Sequence, residues 1–492
     1  MDYLDPNKKK AHRTRLFIGY ALMAVAIAFA TVILVYMGSG YYVDRQTGDL
    51  IQNGQIYVNS DPGGAQIYLN DKQQKAKTDN KLVVPSGSYK VGMKKDGYRD
   101  WEQTLQLEGG KVQRLDYARL IPTTLKSVIT QTFASNPTHI SQSPDRKYLS
   151  LVFAEKPNAV YFYDLTQPEK APSELVINPS VLSAPAQVGS FVVSEWTEDA
   201  KVVLVQNKVG DVVQDYLLVN RTDAAATKNL TTYFGLKTAS FSLRDRSVNN
   251  VFIFDKVAKT LAVGTVSDKQ VTQRLSGVLQ YSPVDGNTIL YITESTAAVK
   301  DKVQVRITDG NDKSYLLREL TPSTQPYLLA GAKLGSSTVV ALGVGAENKV
   351  SVFRNPVGYL KANPDKNIPL ATTVFQLPNP TEVSFSTDAS VVMARGGQKI
   401  ASHYFEEDRS ARFELTVPVG ALPLRWTDGK HLQVVSNGFA YIIDFDGANM
   451  QKLVETSDSL NAYFDNKYQN LYTFSSAIKP FNISQTQIKL DN

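Results

Sequence analysis

The sequence predicts a mostly β protein behind one apolar helix, and three observations carry that expectation. Of its 492 residues 25 are Tyr and 20 are Phe, Val and Thr recur throughout, and helical periodicity is nearly absent after residue 45. Such a composition favours pleated, half-buried surfaces. A 22-residue run without a charge, "LFIGYALMAVAIAFATVILVYM" (Leu16–Met37), stands near the N-terminus. Beyond residue 122 a short phrase, an aromatic or Ser followed by an acidic turn and alternating apolar residues, returns many times.

The bulk numbers bound the class. At 42% apolar and 20% charged residues the chain is a folded protein, long enough for two or three domains with cores of their own. Of the net charge of +6, +3 comes from Lys8, Lys9, Lys10, Arg13 and Arg15 set against Asp2 and Asp5. The remainder is nearly neutral, which argues against a nucleic-acid partner. The absence of cysteine excludes disulfides, thiolate nucleophiles, iron–sulfur clusters and Cys-ligated zinc. It fits an exported protein that does not rely on disulfides.

At about 1.5 Å per residue, the run 16–37 extends roughly 33 Å, enough for a hydrocarbon core of about 30 Å. The basic segment "KKKAHRTR" precedes it, so residues 1–15 form a cytoplasmic tail and the chain beyond residue 44 lies outside the cytoplasmic membrane. Tyr36, Tyr41 and Tyr42 sit where an interfacial aromatic belt belongs. A cleaved signal peptide is the alternative, because "AFA" (Ala28–Ala30) has the form of a cleavage site. Yet "TVILVYM" continues the apolar run where signal peptides turn polar, so a single-pass anchor is expected, followed by a linker over 38–53.

Residues 54–121 read as a small β-sandwich. Ile56 and Val58 alternate with Tyr57, "SDPGG" turns the chain, and Ala65, Ile67 and Leu69 resume the period of two. Pro62 presets a turn, and Gly63 or Gly64 can take the positive φ that follows. Further alternating runs are punctuated at Pro85–Gly87, Asp96–Gly97 and Gly109–Gly110. The stretch "SDPGGAQIYLND…VPSGSYKVGMKKDGY" resembles a PEGA domain, through Pro62, Gly64, Ala65, the segment Pro85 to Tyr89, and Gly97 and Tyr98. Gly63 replaces the Glu of the family name, and "AKTDN" (Ala76–Asn80) replaces the usual Gly-x-Thr-Pro. The resemblance implies an extracytoplasmic spacer module without catalysis, in which Pro62, Gly87, Tyr89 and Tyr98 serve turns and core.

The recurring phrase organises residues 122–492. Its copies are "SPDRKYLSLVF" (143–153), "WTEDAKVVLVQ" (196–206), "YSPVDGNTILYI" (281–292), "FSTDASVVMA" (385–394), "WTDGKHLQVV" (426–435) and "YFDNKYQNLYTF" (463–474). Fainter ones stand at 242–254 and 335–344, and a second β run such as "AVYFYDL" (159–165) follows most copies. Several short strands in each period of roughly 40 to 50 residues signify a β-propeller of seven or eight blades. The acidic turn closes a hairpin between inner strands, and the aromatic, Trp196 or Trp426 for example, is expected buried between blades. Asp116–Phe133 is expected to supply the outer strand that closes the ring. The phrase resembles the SPDGK-type repeats of bacterial envelope and peptidase propellers more than WD-type repeats. A pair of stacked β-sandwiches is the rival fold, disfavoured by the regular recurrence.

Chemistry-bearing patterns are sparse. The four histidines are His12, His139, His403 and His431, and none has a partner at metal-ligand spacing. No nucleophile elbow or phosphate-binding loop occurs, and "GVGAEN" (Gly343–Asn348) lacks both the third Gly and a βαβ setting. "TDGNDK" (308–313) and "DFDGANM" (444–450) have oxygen-rich side chains but no complete calcium loop, so polar hairpin tips are expected. Sequons stand at Asn220, Asn229 and Asn482. No catalytic, cofactor-binding or metal-binding residue is therefore assigned, and no cofactor. The expected function is a non-catalytic membrane-anchored envelope protein that presents its propeller to another protein or to a surface glycan. The alternative is a propeller enzyme acting on cell-surface glycan or peptide in its central funnel, for which two carboxylates would have to meet. A sensor coupling the short tail to an outside ligand is a third reading.

Overall fold

Pro6–Gly38 form one 33-residue helix, and every described side chain from Lys10 to Gly38 is exposed. Beyond Arg15 the helix is apolar on all sides, yet its side chains are not buried by the chain. It is long and apolar enough to cross a membrane, with a mean hydropathy of 2.5 in its most apolar stretch. The computed structural model describes residues 6–38, 40–43, 48, 50–294, 302–311, 313–420, 422–475 and 480–490. Asp2 and Asp5 of the basic tail, residues 39, 44–47 and 49 of the expected linker, and Asp312 lie outside the described residues, while Tyr41–Val43 and the first residues of Leu50–Asp61 within that linker are strand.

The chain divides into the units Met1–Thr123 and Thr124–Asn492. In the first, Leu50–Asp61 pairs antiparallel with Tyr41–Val43 and Asn80–Pro85, and parallel with Val112–Arg119. A second sheet orders Lys72–Lys77, Gln66–Leu69, Gly87–Lys94 and Trp101–Leu107. Period-two alternation sends Ile56, Val58, Ile67, Val91, Met93, Trp101 and Leu115 inward, as a sandwich requires. Trp101 meets Tyr117 edge to face at 5.7 Å. Of the two turn glycines, Gly64 takes the positive φ, at 77°. The Tyr89 hydroxyl donates to the Pro85 carbonyl at 2.8 Å, and Tyr98 is buried, so both serve the architecture.

The second unit contains eight four-stranded antiparallel sheets among the described residues. Blades 1 to 7 occupy 137–176, 190–229, 239–276, 278–320, 327–376, 382–414 and 425–455, each with its strands paired in chain order. Blade 8 takes Tyr463–Phe464, Asn470–Phe474 and Phe481–Gln487 from the C-terminal end and Ser127–Phe133 as its fourth strand. That early strand runs against Phe481–Gln487, with Phe133 opposite Phe481. The expected closing segment, 116–133, is thus narrower than anticipated, because Val112–Arg119 belongs to the sandwich. The ring is an eight-bladed β-propeller, and the faint copies at 242–254 and 335–344 belong to genuine blades.

The repeated phrase lies at the turn between the first and second strands of a blade. In blade 1 Asp145 Oδ1 accepts from Ser143 Oγ at 2.6 Å and from Lys147 N at 3.1 Å. Blade 2 repeats this with Asp199, Thr197 (2.7 Å) and Lys201 (3.1 Å), and blade 6 with Asp388, Ser386 (2.8 Å) and Ser390 (3.0 Å). The residue after the Asp is left-handed: Arg146 at φ 57°, Ala200 at 54° and Ala389 at 59°. An L-residue there costs about 1 kcal/mol or more relative to glycine. The methyls of Ala200 and Ala389 offset that cost because each is buried in an apolar cluster between blades.

Those clusters join neighbouring sheets around the ring. Val152, Val160 and Phe162 of blade 1 pack with Phe191, Trp196 and Val203 of blade 2. The closing seam joins Leu149, Leu151 and Phe153 of blade 1 to Tyr472, Phe474 and Phe481 of blade 8, with the Phe133 ring 5.0 Å from Phe153. Trp196 and Trp426 are both buried at seams as expected, at 4% and 8% exposure. Each also carries a polar clasp: Trp196 Nε1 donates to Ser141 Oγ of blade 1, and Trp426 Nε1 to Ser384 Oγ of blade 6, both at 3.0 Å. The hydroxyls of Tyr281 (blade 4) and Ser242 (blade 3) repeat the device at 2.8 Å.

Candidate functional site

The innermost strand of each blade is the first, because the blades succeed one another in chain order and close through an outer fourth strand. Several polar side chains on these strands stitch neighbouring blades together. Gln142 Nε2 donates to Phe464 O (2.7 Å) and Gln280 Nε2 to Tyr327 O (2.9 Å), while a ring nitrogen of His139 sits 2.9 Å from Val193 O. Among the described residues the inner strands carry two carboxylates, Glu195 in blade 2 and Glu382 in blade 6. Four places apart in a ring of eight, they stand on opposite sides. Glu195 accepts the Leu243 N–H at 2.8 Å, and burial pushes its carboxyl above the usual range. Glu382 is ion-paired with Arg395 at 2.7 Å. The carboxylate pairing that glycoside chemistry needs is not formed by these two groups.

The singled-out residues fall into place as structure. His12 is exposed on the long helix. His139 is held below its usual range by burial. So is His403, whose Nδ1 lies 2.9 Å from Ser410 Oγ. His431 opens the second strand of blade 7, with Nδ1 2.8 Å from Asp428 Oδ2 and Nε2 3.3 Å from Asp444 Oδ1. Burial alone would lower its pKa, but the two carboxylates prevail and raise it to about 9. No group of three His, Cys, Asp or Glu able to hold a metal occurs among the described residues. Residues 444–450 form a hairpin tip, closed by the Gly447 N–H on Asp444 O at 2.9 Å. In the other stretch Asp309 Oδ1 takes the Asn311 N–H at 3.1 Å, again a turn. Residues Gly345–Glu347 make a 3-10 turn instead of a nucleotide loop. The Asn229 amide is buried against Asp215 at 2.7 Å, so that sequon is inaccessible in the folded chain.

Three features had no sequence signal. Asp215 is fully buried and satisfied by Asn207, Asn229 and the Ser183 N–H, a network that ties the 183–189 loop to blade 2. Arg146 and Arg425 converge from different blades around a small void. The third is a surface cavity of about 600 Å3 between blades 7 and 8, lined among others by Phe439, Glu455, Thr456, Ser475, Asn482 and Ser484. Two aromatic rings, Phe439 and Phe474, one carboxylate and several hydroxyl and amide groups make it a place for a polar ligand.

The family model described as "PEGA domain" matches residues 53–120. No curated protein matches the chain. Among solved structures, similarity is found to Kluyveromyces lactis Hsv2, at 11% identity over 65% of this chain and 98% of that one, with a TM-score of 0.41. The Dos1 propeller is similar at 8% identity over 73% and 93% of the two chains, TM-score 0.41. Dihydro-heme d1 dehydrogenase NirN is similar at 13% identity over 65% and 67%, TM-score 0.39.

Proposed function

We propose that this chain is a non-catalytic, membrane-anchored binding protein of the bacterial cell envelope. Its propeller, of the SPDGK type, is held outside the cytoplasmic membrane by a single N-terminal helix and a PEGA spacer, and it engages a protein or a cell-surface glycan. The observation that carries this reading is the ring's division of labour: inner polar side chains bond blade to blade, while the 600 Å3 cavity between blades 7 and 8 opens polar and aromatic groups to solvent. The basic residues before the apolar helix support the orientation.

The test is co-sedimentation of the detergent-solubilised full chain with purified envelope polysaccharide, and separately with envelope proteins by crosslinking. Phe439→Ala and Glu455→Ala should abolish binding without lowering the melting temperature. Release of new reducing ends or peptide fragments from such material, lost in Glu195→Gln or Glu382→Gln, would instead establish the enzymatic reading.

A further inference from the structure

Arg146 follows the turn Asp of blade 1, and Arg425 is one of two residues in the first strand of blade 7. They are 279 positions apart, with blade 8 between their blades, yet they line one cavity with Gln142, Gln433, Thr427 and Phe464. The convergence follows from strand length. The first strands of blades 7 and 8 are each only two residues long, so blade 1 reaches across blade 8 to blade 7. Arg146 Nη2 donates to the Thr427 carbonyl, and Arg425 Nη2 donates to Gln142 Oε1 at 2.8 Å. Each guanidinium lies over a blade 8 ring, Arg146 at 4.4 Å from Tyr468 and Arg425 at 4.2 Å from Tyr463.

Neither arginine has a carboxylate partner among the described residues. The acids on the adjoining turns are engaged elsewhere. Asp145 takes the Ser143 hydroxyl, Asp428 pairs with His431, and Asp465 takes the Gln469 N–H and the Asn470 amide. Burial, together with the neighbouring Arg146 charge, holds the Arg425 guanidinium below its usual range, and Tyr463 opposes that effect. Two adjacent positive charges with no balancing carboxylate, one of them largely desolvated, are costly.

A second, independent feature points into the same cavity. Gln433 is the Cα partner of Arg425 across the first two strands of blade 7, so both side chains stand on one face. At 2% exposure, both Gln433 side-chain polar atoms lack a hydrogen-bond partner, as does the buried Arg146 Nη1. Buried amides and guanidiniums are rarely left so, because each missing bond costs about 1–3 kcal/mol. The cavity measures about 10 Å3, room for a single small occupant.

We propose that this cavity, at the seam of blades 1, 7 and 8, binds a single small monovalent anion of the halide class. Chloride takes hydrogen bonds from Arg146 Nη1 and Gln433 Nε2 and compensates the two guanidiniums. A water molecule would serve the hydrogen bonds but leave both charges unbalanced. The anion thereby fastens blade 1 to blade 7 beside the blade that closes the ring.

Trp426 lines the cavity and reports on it. The detergent-solubilised full chain is titrated with sodium chloride against sodium gluconate at constant ionic strength, following thermal unfolding, and then with bromide, following tryptophan fluorescence. The expected results are a saturable rise in melting temperature with chloride and a saturable quenching component with bromide. Gln433→Met, which keeps volume but removes the donor, should raise the half-saturating concentration about tenfold or more. Arg146→Lys serves as a second variant and should weaken the response likewise. Equal melting in chloride and gluconate would overturn the proposal and leave water as the occupant. So would a response that never saturates, or one unchanged in both variants.

Discussion

Replacing Trp196 by Ala tests the inter-blade clasp most directly. The indole is buried at 4% exposure, meets Phe162 edge to face at 5.7 Å and donates to Ser141 Oγ at 3.0 Å. Truncating a buried Trp costs about 3–5 kcal/mol in transfer and cavity energy. For a unit of roughly 370 residues, an unfolding entropy of about 2.1 cal/mol/K per residue gives about 0.8 kcal/mol/K, so the melting temperature should fall by about 4–6 °C. Trp196→Phe keeps the apolar ring and loses the N–H, for a smaller fall of about 1–3 °C. Ser141→Ala leaves the indole N–H unpaired, and the double variant Trp196→Phe with Ser141→Ala should cost less than the two singles together, because the polar pair leaves as a unit. Differential scanning fluorimetry or circular dichroism of the full chain in detergent measures all four. A Trp196→Ala chain that melts within about 1 °C of the parent would refute the packing account and favour the indole as a ligand platform.

Three further outcomes follow from the same geometry. Protease added to spheroplasts should digest the region after residue 45, and its full protection would reverse the proposed orientation. His431 is held at about 9 against an unfolded value of about 6.5, so its stabilisation is complete below about pH 6.5 and is lost as pH rises toward 9. That is on the order of 3 kcal/mol, and a melting curve across this range that is as flat for wild type as for His431→Gln would contradict it. At Ala200, with φ 54°, Val should destabilise by about 2 kcal/mol or more, whereas Gly should stay within about 1 kcal/mol of the parent, in denaturant titrations.

Legibility followed the range of the interactions. The turn phrase could be read because its chemistry is local: Asp145, Asp199 and Asp388 each bond residues two positions away, so composition and spacing carry the signal. Blade 5 was faint because its first two strands join through a two-residue turn, Leu334 pairing with Ser337, which leaves no room for the acidic residue. Blade 3 was faint because Asp245 itself takes the left-handed position, at φ 51°. The sandwich was legible through alternation and through Pro62 and Gly64. What could not be read was whatever the ring assembles from afar. The Arg146 to Thr427 bond spans 281 positions, and no local pattern marks either residue. The 600 Å3 cavity likewise combines Phe439 and Glu455 with Asn482, residues ordinary in their own strands.

The fourth strand of blade 8 also sets a timetable. Ser127 and Thr486 share a hydroxyl bond of 2.7 Å but stand 359 positions apart. At about 5–20 residues per second of synthesis, the early strand waits roughly 20–70 s for its partner. Throughout that interval it is an unpaired edge bearing Val128 and Ile129, the kind of surface on which chains associate. A polypeptide cut short before Phe481 never acquires the partner at all. Ring closure is thus among the last pairings to form: until Phe481–Gln487 is made, Ser127–Phe133 has no strand on either edge, and a chain terminated earlier keeps displaying both edges to chaperones and proteases.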